Sequence, residues 1–188
     1  MEKEEKVLTE ARTKADIEKE MKEGNISLIL EDYQDIFSDF DPRPYAEKAL
    51  SDDFLQECKR AVRDKAEGFE LRLLIPSKKR NFLNETKIKK RLTDHFEKHF
   101  KEKQKEISSI KQQGVIWFIV GTALLMIETF LYGYDSFFLR LIKTMMIPAG
   151  WFSFWEGLEK IFINSREKAP ELDFYRKMAS CKIYFLNY

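Results

Sequence analysis

The residue types able to do chemistry fall into two charged stretches and a few ionisable positions set among apolar ones. Residues 31–41 supply Glu31, Asp32, Asp35, Asp39 and Asp41; a second stretch is the basic run Lys78, Lys79 and Arg80. Carboxylates and cations brought to one sheet edge suit a phosphate-bearing ligand or a divalent ion. They suit better still two solvated loops whose charges pair with each other or across subunits. The acidic run lacks the Asp-x-Asp-x-Asp-Gly order of a calcium loop, and neither stretch is a glycine-rich phosphate cradle. His95 and His99, with Asp94 and Glu97 nearby, are half of a helical metal site. Their segment reads His-Phe-Glu-Lys-His and no third ligand is evident, so a polar helix face accounts for them and no metal or cofactor is expected. Nucleophile elbow, Cys–His pairing and Walker-type loop are all missing, which argues against an enzyme.

A further set, Glu128, Arg140, Lys143 and Glu156, lies within or near two apolar segments, residues 114–133 and 137–163. Each segment is long enough to cross a hydrocarbon core of roughly 30 Å. Lys98, Lys101, Lys103, Lys105 and Lys111 precede the first, Lys160, Arg166 and Lys168 follow the second, and the turn at 134–136 has no basic residue. The positive-inside rule then predicts two spans with both termini cytoplasmic. Trp117, Tyr132, Tyr134, Trp151 and Trp155 suit the interfaces. An unpaired charge in a span costs about 2.5–3.5 kcal/mol on insertion scales, so partners are expected. Folding the chain about Asp135 sets Glu128 level with Arg140 and Lys143, and Glu159 level with Lys111, but leaves Glu156 without a partner. Ala149, Ser153 and Gly157, at steps of four, form a small-residue stripe for close helix packing. Pro148 is expected to kink the second span.

Positioning these residues requires an α+β membrane protein, with a two-helix transmembrane hairpin inserted in a small cytosolic α/β domain. The boundaries read as a charged helix over 1–24, a cytosolic βαβ domain and long connecting helix over 25–113, the hairpin over 114–163, and a helix and strand over 164–188 that complete the domain. Strands are predicted at 25–30, 69–75 and 181–186 from short β-type runs. A helix begins at Ser51 and stops by Gly68, with Phe54, Leu55, Cys58, Val62 and Ala66 on one side. The long helix, 84–113, carries Ile88, Leu92, Phe96, Phe100, Ile107 and Ile110. If straight it spans roughly 45 Å; a bend at Ser108 and Ser109 would instead lay its lysines on anionic lipid.

Bulk properties agree. Charged residues make up 35% of the 188, and the net charge is +1, so most of the chain meets water and no global basic field invites nucleic acid. Cys58 and Cys181 fit no metal spacing and read as buried free thiols. No apolar h-region follows Met1, so insertion relies on the internal segments. The leading expectation is a non-enzymatic homo-oligomer in the lipid bilayer whose cytosolic domain senses or docks a soluble ligand or protein. A sensor-coupled pore or membrane-disrupting effector is the alternative, and a metal-dependent membrane-anchored enzyme using the acidic loop ranks third.

Overall fold

The computed structural model describes residues 25–134 and 136–188; the helix expected over 1–24 lies outside them. Three strands, β1 (Ile26–Ile29), β2 (Glu70–Ile75) and β3 (Lys182–Asn187), form a parallel sheet in the order β1-β2-β3. Ile26 pairs with Leu71 and Leu71 with Ile183, while Leu28 pairs with Leu73 and Leu73 with Phe185. Cross-strand partners share a face, so these apolar residues line one side of the sheet. Against that side pack Phe54, Cys58 and Val62 of α1 (Asp52–Val62) and Ile88, Leu92 and Phe96 of α2 (Phe82–Phe130). Phe174, Tyr175 and Met178 of α4 (Ala169–Ser180) complete the core.

Local chemistry sets the helix ends, in places differently from the expectation. The long helix starts at Phe82 instead of residue 84, because the Asn81 side chain accepts hydrogen bonds from the Leu83 and Asn84 amides at 3.0 and 3.2 Å. It then runs unbroken through Ser108, Ser109 and Gly114 to Phe130. The helix that opens after Ser51 stops at Val62, well short of Gly68, whose φ of +85° serves the turn into β2.

Two compact units are formed. One gathers the described residues up to Phe100 with Phe174–Tyr188, and the other is Lys101–Asp173. The second contains the C-terminal part of α2, then α3 (Phe137–Glu159), a π-helical turn Lys160–Asn164 and a single helical turn Ser165–Glu167. Pro148 lies inside α3. Within this unit α2 and α3 run antiparallel with their backbones touching. A Cβ added to Gly121 would lie 2.7 Å from the Gly150 carbonyl oxygen, and one added to Gly157 would lie 2.7 Å from that of Gly114. The residue numbers of both pairs sum to 271, close to the sum of about 270 expected for depth-matched residues from the sequence. Of the small-residue stripe, Ser153 and Gly157 are buried in this seam together with Gly150, whereas Ala149 is exposed. Steps of three and four keep residues on one face of a helix; two successive steps of four drift off it.

Apart from this seam, large apolar side chains of α2 and α3 are exposed, among them Ile116, Ile119, Phe130, Phe138, Met145 and Phe152. α2 is long and apolar enough to cross a membrane, and only 11% of its most apolar window is buried, unlike the core helix of a water-soluble domain.

Candidate functional site

Because the strands are parallel, the loops after β1 and β2 leave the sheet at the same edge, where α/β folds commonly place ligands. The loop after β1 tightens into a 3-10 turn, Tyr33–Ile36, held by a reciprocal capping box. The Asp32 carboxylate accepts from the Gln34 amide at 3.3 Å, and that of Asp35 accepts from the Glu31 and Asp32 amides at 2.7 and 3.1 Å. The basic loop meets it: Lys79 Nζ lies 3.3 Å from the Asp32 carboxylate and donates to the Glu31 carbonyl at 3.0 Å. Lys78 is exposed in its own 3-10 turn, Ser77–Lys79.

Arg80 turns inward. Its guanidinium donates twice to Glu85, both at 2.8 Å, and once to Asn187 Oδ1 of β3 at 2.6 Å. Tyr33 Oη donates to Glu85 Oε1 at 3.0 Å and accepts the Asn81 amide at 2.8 Å. Glu85 is only 3% exposed, so its charge depends on these partners. Arg80's hydrogen bonds hold the Glu85 carboxyl below the ordinary range despite burial, while burial pushes the Tyr33 phenol up.

Asp41 accepts two-pronged hydrogen bonds from Arg43 and one from the Ala49 amide at 2.6 Å, which hold its carboxyl far below the usual range. Asp39 is exposed. Together with Asp41, Arg43, Lys48, Asn84 and Lys87 it borders an open cleft of roughly 700 Å³. Asp35, Asp41, Lys79 and Arg80 are thus engaged within the loops and the Glu85 network, whereas Asp39 opens onto a cleft whose basic residues are Lys48, Lys87 and the Asp41-bonded Arg43.

The two histidine rings lie tilted against each other, centroids 4.3 Å apart, and His99 stacks on the Tyr175 ring at 5.3 Å. His95 Nε2 is buried without a hydrogen-bond partner, and burial first, then the neighbouring His99, pushes its pKa down to about 4. Among the described residues no group of three or more His, Cys, Asp or Glu side chains could hold a metal ion. Burial, with Cys181 nearby, pushes the Cys58 thiol up, and burial lifts the half-buried Cys181 to about 11; both thiols are free.

Lys143 and Glu156 of the helical pair find local partners. Lys143 Nζ donates to the Leu131 and Tyr134 carbonyls at 3.2 and 3.0 Å, so it caps the end of α2 instead of reaching Glu128. A lysine there gains from the negative pole of the helix. Glu156, read as unpartnered, takes Lys160 one turn on at 3.0 Å. Arg140 is exposed and Glu128 half-buried.

Lys48, Glu85, Tyr33, Gly114, Gly121 and Gly150 did not stand out as site or packing residues in the sequence. The glycines were detectable, since both pairs repeat at seven residues on segments already set antiparallel. The others carried no such signal. No protein-family model matches the chain, nor does any curated protein or solved structure.

Proposed function

We propose that the chain is an oligomeric integral membrane protein whose two-span hairpin, over residues 114–163, anchors a cytosolic α/β domain that senses or docks a soluble partner. The observation that carries the reading is the exposed apolar surface of α2 and α3, which water would not tolerate at that extent but lipid would. The glycine seam supports it, because helices in lipid associate through close backbone approach. Basic residues before α2's apolar part and after α3 support, by the positive-inside rule, both termini in the cytoplasm and Ser136 on the opposite side. A pair of helices leaves most of its surface free for copies of itself, which favours self-association. Docking by the soluble unit is supported by Phe40, 98% exposed on a loop, and by the exposed Phe82 and Leu83.

The test is membrane extraction followed by labelling. The protein stays with the bilayer in alkaline carbonate, and Ser136→Cys in a Cys181→Ser background reacts with an impermeant maleimide applied from the non-cytoplasmic side. Release by carbonate, or labelling of Ser136→Cys from the cytoplasmic side alone, sinks the proposal. Anchoring is favoured over a conducting pore by the local partners of Lys143 and Glu156. Liposomes containing the purified protein are therefore expected to show no ion flux.

A further inference from the structure

Lys48 is 92% removed from solvent, its residue exposure being 8%, and its ammonium donates to Gln34 Oε1. Among the described residues no carboxylate lies within ion-pair reach of it. An ammonium has three N–H donors, so a single neutral amide leaves two donors and the whole charge unanswered. Buried charges are ordinarily paired, and an unpaired one stands out where it borders a cavity. Here the cavity is the open cleft, whose other basic members are Arg43, bonded to Asp41, and the exposed Lys87, one turn after Asn84 on α2. The Lys48 backbone carbonyl accepts a hydrogen bond from Arg91 Nε at 3.0 Å, which fixes the backbone that carries the ammonium.

We propose that this cleft binds a small solute through one phosphate group, seated between Lys48 and Lys87 with the Asn84 amide as an additional donor. The proposal deepens the reading of the cytosolic domain as a sensor by naming its ligand class. Phosphate oxygens have enough lone pairs to take the two free Lys48 donors, Lys87 and Asn84 together, and lysine is a customary point-charge partner for phosphate. A cleft of roughly 700 Å³ has the capacity for a small organic phosphate. Asp41 does not compete for the cations, because Arg43 and the Ala49 amide hold it. Asp39 on the same cleft opposes a polyphosphate, so one phosphate group is the better match. The basic run at Lys78, Lys79 and Arg80 is not the site: Lys79 is spent on Asp32 and Arg80 on Glu85.

Full-length protein in detergent is titrated with inorganic phosphate at constant ionic strength, followed by phosphorus NMR line broadening and by thermal midpoint. Saturable broadening and a raised midpoint are expected, with chloride having no such effect. Lys87→Ala weakens phosphate binding by about tenfold, the usual scale for a lost charge-assisted contact. Lys48→Met abolishes it and Lys78→Ala leaves it unchanged. The proposal is overturned by the absence of saturable binding at millimolar phosphate, or by unchanged affinity in Lys87→Ala. That exposed residue decides the matter even where Lys48→Met fails to fold. Binding in detergent is independent of membrane insertion. A carbonate-extractable protein that binds phosphate would remove the anchor alone, and a membrane-integral one that ignores phosphate would remove this site alone.

Discussion

Two titratable side chains, Glu85 and His95, tie the stability of the α/β unit to pH, and both do so in the same direction for different reasons. Glu85 has a lower pKa folded than unfolded because Arg80 and Tyr33 bond to its charged form. Its contribution is therefore complete above the unfolded value of about 4.3 and lost as pH falls through the lower folded value. Glu85→Ala is expected to cost about 2 kcal/mol at neutral pH. This is below the 3–5 kcal/mol typical of a fully buried broken pair, because Arg80 keeps contact with water and with Asn187. Denaturant unfolding in detergent should find that the gap between wild type and variant narrows below pH 4. His95 is held neutral by burial, with a folded pKa of about 4 against about 6.5 when unfolded. Its stabilising effect is thus complete above pH ~6.5 and lost on descending towards 4. His95→Phe should abolish that part of the acid sensitivity, read as thermal midpoint between pH 7 and 5.

At the scale of elements, the seam between α2 and α3 rests on glycines that admit no side chain. Gly121→Val and Gly157→Val would drive carbon atoms into the facing backbone and should each destabilise by about 1–3 kcal/mol, the usual range for overpacking. Ala149→Val, on an exposed position, should change the thermal midpoint little. A larger effect at Ala149 than at Gly121 would contradict the packing face described above. Lys143→Met removes the donor to the Leu131 and Tyr134 carbonyls and should lower stability by a few tenths to about 1 kcal/mol, the scale of a charge at a helix terminus.

For the whole molecule, the consequence is an interrupted α/β unit. β3 arrives from the C-terminal end of the chain, after Lys101–Asp173, and is hydrogen-bonded along the whole of β2. Deleting residues 181–188 would expose β2 as an edge and remove Phe185 from the core. Such a truncation is expected to make residues 25–100 protease-sensitive while leaving carbonate resistance intact, because the apolar helices do not depend on the sheet. Loss of both together would show that hairpin and soluble unit fold as one.

The strand positions, most helix positions among the described residues, the one helix long and apolar enough to cross a membrane, and the region of the fold-back were legible from the chain alone, because periodicity and hydropathy are carried by near neighbours. Residues 25–30, 69–75 and 181–186 contain β1, β2 and β3 almost to the residue. The acidic loop was legible in composition but not in role, since its carboxylates cap local amides and pair with loop cations, which depends on backbone geometry that composition does not encode. Only the tertiary structure joined Tyr33, Arg80, Glu85 and Asn187 into one network around the buried Glu85, and only it buried Lys48 without a counter-ion beside a cleft. Those arrangements link positions tens of residues apart. Their energetics come from desolvation by neighbours that no local pattern names.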